Sequence, residues 1–140
     1  MPLIQSSIRV LGKVLPKILS PKAHAIADYG TAGIFLLGAL LFWRHSKRAA
    51  VASLICGAAE TTVAALTDHP GGLKKAISFP LHRKIELGLS SMAATMPEFL
   101  AFGEEKEKAF FHVQSAVIAG LTVLTDFESR HLAGEREIAA

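Results

Sequence analysis

Histidine and carboxylate occur together twice in this chain, in "HAIAD" (His24 to Asp28) and in "HRKIE" (His82 to Glu86). In both, the acid follows the histidine by four residues and a glycine follows the acid by two. On a helix this spacing stacks the two groups on one side, where they can pair as ions or donate to one cation. A further acid closes each following apolar run, Asp68 after Thr67 and Asp126 after Thr125. Two imidazoles and four carboxylates form an inventory that resembles di-iron bundles, although the Glu-x-x-His spacing of those bundles is absent. The competing chemistry is structural. Each histidine then pairs with its own acid, or with the aspartate ending the neighbouring helix, and acids near helix N-termini suit the macrodipole. The structural role is the first expectation, and no cofactor is predicted.

Glu60 is the deepest ionisable residue of the apolar runs, and an acid at such depth is a functional candidate by default. Thr61, Thr62 and the pair His112 and Gln114 are the groups that could satisfy it across a helix interface. A haem ligated by His112 would need a partner at similar depth, whereas His24 and His82 lie toward the other face. The sequence contains no Ser/His/Asp order, no CxxC and no phosphate-binding glycine loop, so no enzyme is predicted. Cys56 is the single cysteine, which excludes an intramolecular disulfide.

Four apolar segments must position these groups: His24 to Trp43, Ala49 to Thr67, about His82 to Phe102, and Ala109 to Phe127. The first covers about 30 Å as a helix, the thickness of a bilayer core. Backbone amides in hydrocarbon need partners within their own segment, so four runs imply four helices. Hydrophobic residues make up 51% and charged residues 19%, with a mean hydropathy of +0.38, which is greasy for a soluble domain. A soluble four-helix bundle is the alternative, but "YGTAGIFLLGALLFW" lacks the polar stripe such a bundle needs. Residues 1–23 carry four basic residues and no acid, with Ile4, Ile8, Leu11, Leu15 and Leu19 at helical spacing. They read as an amphipathic interfacial helix, kinked near Pro16. A polar tail, 128–140, closes the chain.

Sliding residues 24–68 onto 82–126 without a gap superimposes His24 on His82, Asp28 on Glu86, and Thr67-Asp68 on Thr125-Asp126. Rare polar residues at hydrophobic boundaries thus coincide at one offset. We read two tandem two-helix repeats, 24–72 and 73–127, sharing one orientation. His24, Asp28, Asp68, His82, Glu86 and Asp126 then cluster on one face. Gly57-x-x-x-Thr61 and Ala116-x-x-x-Gly120 offer small residues for close helix approach.

"ELGLSSMAATMPEFLAFG" followed by "HVQSAVIAGLTVLTDFE" resembles the SPW-repeat family of small bacterial membrane proteins. Gly88, Pro97 and the 116–120 stretch stand where that family has an early glycine, the proline of Ser-Pro-Trp and a small-residue return helix. Met96 and Glu98 replace the serine and tryptophan, and the first unit has Ala39 in place of the proline. The resemblance implies a membrane-embedded repeat protein and carries no activity.

Ten Lys/Arg lie on the face holding both termini and the middle loop, against five on the other. The positive-inside rule then predicts a multi-pass inner-membrane protein with cytoplasmic termini. The net charge of +3 and pI of 9.2 do not indicate nucleic acid, because the basic residues flank apolar segments and form no single stripe. The partners expected are lipid and a membrane complex or second copy, in a scaffold or accessory role. The alternatives are metal or redox-cofactor binding at the cluster, and a proton or ion path through Glu60.

Overall fold

The computed structural model describes residues 14–127, which form four α-helices. These are α1 (Pro21–Phe42), α2 (Lys47–Leu66), α3 (Phe79–Phe99) and α4 (Lys108–Leu124). Three of them begin at a serine whose side chain accepts a backbone N–H: Ser20 from Ala23, Ser46 from Ala49 and Ser78 from Leu81. Prolines in the first turns of α1 and α3 suit positions where no helical N–H bond is needed. These three helices therefore start two or three residues before the apolar runs, because the cap and not hydropathy sets the boundary.

Residues 15–20 are not helical, so the expected amphipathic helix does not continue through Leu19. Pro16 lacks the N–H that a helix interior needs, and Leu19 bonds elsewhere. Its N–H donates to Leu124 O and its carbonyl accepts from Asp126 N–H, both at 3.1 Å. The rest of the predicted amphipathic segment, 1–13, and the tail 128–140 lie outside the described residues.

The closest-packed pairs are α1 with α2 and α3 with α4. On α1 and α2 the buried positions are mostly small or polar, Phe35 being the exception, while large apolar residues face outward. On α1 the buried positions include His24, Ala25, Asp28, Thr31 and Ala32, while Ile26, Ile34, Leu37, Leu40 and Leu41 are exposed. Helices α1 and α2 are long and apolar enough to cross a membrane. Helix α4 is apolar with 17 residues, and α3 carries Arg83, Lys84, Glu86 and Glu98.

Gly57 faces α1, and a Cβ there would stand 2.9 Å from the Leu36 side chain, so this glycine does set a close approach. Gly120 does not, since nothing lies within 4 Å of its Cβ position, and Ala116 is exposed. At the far end of the bundle Phe35, Phe42, Phe102, Phe110 and Phe111 form an aromatic core.

A candidate metal centre between the two hairpins

His24 and Asp28 occupy the first two turns of α1, and His82 and Glu86 the first two turns of α3. All four are 2% exposed or less. Their donor atoms lie within 4.8 Å of one another. The Nε2 atoms of the two histidines are 3.2 Å apart. His24 Nε2 lies 3.2 Å from Asp28 Oδ1 and 3.4 Å from Glu86 Oε2. His82 Nε2 lies 3.3 Å from Asp28 Oδ2 and 3.6 Å from Glu86 Oε1. Each carboxylate thus offers one oxygen to each imidazole.

The ring tautomers follow from the neighbours. His82 Nδ1 is 2.8 Å from Thr67 Oγ1, and that hydroxyl gives its own proton to Val63 O at 2.6 Å. With its proton committed, Thr67 can only accept, so Nδ1 carries a hydrogen, and in the neutral ring Nε2 holds the lone pair. The same reasoning holds for His24, whose Nδ1 lies 2.7 Å from Thr125 Oγ1 while Thr125 donates to Leu121 O at 2.6 Å. Both Nε2 atoms therefore face the carboxylates, as lone pairs when the rings are neutral. Each histidine is held by the threonine that ends a helix of the other hairpin.

Asp68 and Asp126 do not enter the cluster. Thr67 and Thr125, just past their helix ends, are extended (φ −87°, ψ 141° and φ −89°, ψ 138°). Successive side chains of an extended chain point to opposite sides. Threonine consequently faces inward and aspartate outward, where Asp68, about half exposed, pairs with the exposed Lys75 at 3.2 Å. The residues after the aspartates turn back in: His69 is 2% exposed and Phe127 4%. Phe127 and Phe79 pack edge-on against the His24 ring, with centroids 5.1 and 5.8 Å away, and exclude water from the site. Glu86 Oε2 lies 2.7 Å from Thr122 Oγ1, whose single proton is shared between this carboxylate and Ile118 O at 2.8 Å.

Sequence reasoning missed Thr67 and Thr125 as functional groups although they stand 58 residues apart, as His24 and His82 do. His69 and Thr122 left no signal, because neither has an equivalent in the other half.

Glu60 and Gln114 are buried inside the bundle, and His112 is exposed on α4, so the three do not form one site. The Thr61 and Thr62 hydroxyls do not serve Glu60, since they donate to Gly57 O and Ala58 O of their own helix. Glu60 Oε1 and Gln114 Oε1 have no hydrogen-bond partner among the described residues.

What can such a cluster do? Four donors about 2.0–2.1 Å from a central ion in a tetrahedron stand about 3.3–3.4 Å apart. The two Nε2 atoms stand at such an edge, 3.2 Å apart; each imidazole faces a different oxygen of each carboxylate at 3.2 to 3.6 Å, and one donor atom from each of the four residues lies within 4.8 Å of the other three. Imidazole with carboxylate suits zinc, iron, cobalt or manganese more than the purely oxygen-seeking cations. Two carboxylates and a divalent ion sum to zero charge, as a dry interior favours. No family model, curated protein or solved structure matches this chain.

Proposed function

We propose that the chain is a multi-pass membrane protein that binds one divalent transition-metal ion between His24, Asp28, His82 and Glu86. The observation that carries this reading is the convergence of two Nε2 atoms, 3.2 Å apart, on two buried carboxylates. With all four positions supplied by protein and the site sealed by Phe79 and Phe127, the ion ties the two hairpins together and has no open face for a substrate. The scaffold role expected from the sequence is contained in this one, with the ion as the tie.

Two tandem hairpins are part of the proposal. Contacts that repeat at the sequence offset of 58 support them. Ser20 and Ser78 both cap a helix. Leu19 bridges Thr125 as Ile77 bridges Thr67. His24 meets Thr125 as His82 meets Thr67.

Four membrane crossings are likewise proposed. The reading rests on the inside-out distribution of polarity, with ionisable groups within and Ile and Leu outward, as lipid requires. Trp43, half exposed where α1 ends and covered by Lys47 Nζ at 3.9 Å, fits a headgroup-level anchor. The sequence count of Lys and Arg supports a cytoplasmic boundary for the end that carries the cluster.

Metal analysis of protein purified in detergent tests the function. One equivalent of zinc, iron, cobalt or manganese per chain is expected, and none in His24→Ala or His82→Ala. A wild-type protein free of such ions that also gives no absorption change on titration with Co²⁺ would falsify the proposal.

A further inference from the structure

Three of the four donors have one neighbour that holds them: Thr125 for His24, Thr67 for His82 and Thr122 for Glu86. Asp28 has no threonine. The residue equivalent to Thr122 in the first hairpin is Ala64, which has no hydroxyl to offer. Asp28 Oδ2 is buried and accepts no hydrogen bond among the described residues. The side chain that faces it from outside the cluster is His69, with Nε2 at 3.7 Å.

The imidazole of His69 is oriented by its own loop. Gly71 N–H donates to His69 Nδ1 at 3.1 Å, so Nδ1 is the acceptor and Nε2 carries the proton. Gly72 N–H closes onto His69 O at 3.0 Å, and a Cβ at Gly72 would collide with Thr67 O. Tyr29 Oη donates to Gly71 O at 2.8 Å and ties the same loop to α1, one residue beyond Asp28. The loop 67–72 is thus built around one ring with one proton direction. A protonated Nε2 is a donor and not a ligand.

Resting on the metal reading above, we infer that His69 is a positioning residue for Asp28, holding Oδ2 through Nε2–H so that Oδ1 is the oxygen turned to the ion. The 3.7 Å separation becomes a hydrogen bond with a shift of about 0.7 Å, to the ordinary length near 3.0 Å. Metal-bound carboxylates are commonly held this way, and loss of such a holder lowers affinity about 10- to 100-fold. The position equivalent to His69 in the second hairpin is Phe127, so this group breaks the near-symmetry of the centre and makes its two carboxylates chemically distinct.

Co²⁺ titration followed by d–d absorption, with Zn²⁺ competition, compares wild type with His69→Phe, His69→Gln and His24→Ala. His69→Phe places in the loop the aromatic residue that the other hairpin uses. It is expected to weaken Co²⁺ binding about 10- to 100-fold and to shift, without abolishing, the four-coordinate bands. His69→Gln, whose amide N–H can reach Asp28, is expected to recover part of the affinity. Unchanged affinity and spectrum in both variants would overturn the role of His69 and leave the metal centre standing. Loss of the bands in His69→Phe as complete as in His24→Ala would make His69 a ligand and overturn it too. Silence of the wild-type protein would remove the metal centre and this inference together.

Discussion

The two ends of the bundle are both dry and both tightly packed, yet different forces hold them. At one end, residues from the first two turns of α1 and α3 meet through directed contacts between ionisable groups, each within 3.6 Å of the next. At the other, Phe35, Phe102, Phe110 and Phe111 interlock through ring contacts 5.2 to 6.2 Å between centroids, largely edge-on or tilted. Gly38 admits the Phe110 ring there, since a Cβ would stand 2.9 Å from its Cζ. The aromatic end depends on shape, and a volume change damages it. The polar end depends on hydrogen positions, and a change that preserves volume should damage it more.

Three experiments can break or sharpen that contrast. The largest effect is expected from the double variant Thr67→Val and Thr125→Val, which keeps side-chain volume and removes only the hydroxyls that fix the two imidazoles. Losing one such holder lowers metal affinity about 10- to 100-fold, so the pair should cost about 100-fold or more. Isothermal titration with Zn²⁺ reads this directly; affinity within twofold of wild type would mean that tautomer control is not what organises the polar end.

Phe111→Ala comes next. Phe111 is fully buried against Phe35, Phe102 and Phe110. In a membrane the water-transfer term fades, while the cavity term remains. A void of about 100 Å³ at about 24 cal/mol per Å³ gives about 2 kcal/mol. Denaturant unfolding in mixed micelles should show that loss with metal affinity unchanged. A parallel fall in affinity would show that the two ends are coupled through the helices.

The smallest effect is a gain. Ala101, just past the end of α3, has φ 55°, the left-handed region that glycine adopts without steric cost. Ala101→Gly should stabilise the aromatic end by about 1 kcal/mol, read as a raised thermal midpoint of the detergent-solubilised protein. No gain would mean that the bond from Arg48 Nη1 to Ala101 O, 2.7 Å long, already sets this turn.

Much of the polar end is legible in the amino-acid sequence. His24 with Asp28 and His82 with Glu86 are found by helical spacing alone, and the offset of 58 links them. Asp68 and Asp126 also share the offset, and a reading by charge gives them the weight that belongs to Thr67 and Thr125. The error is one residue in each half. It arises because a sequence does not state where the helix gives way to extended chain, and that point decides which of two adjacent side chains turns inward. Cap positions are similarly misplaced by hydropathy, since a serine that ends a polar stretch starts the helix.

By itself, then, the sequence determined four helical segments, their apolar outer character, and two imidazole–carboxylate pairs at equivalent helix starts. Those properties depend on neighbours within a few residues along the chain, so local periodicity reports them. The tertiary structure alone decided that His24 meets Thr125 across 101 residues, that His82 meets Thr67, and that the loop bearing His69 folds back onto Asp28. The hydrogens on both Nδ1 atoms follow from hydroxyl groups delivered by the opposite hairpin. A proton's place on a ring is set by what the other nitrogen touches, and only packing brings that partner near.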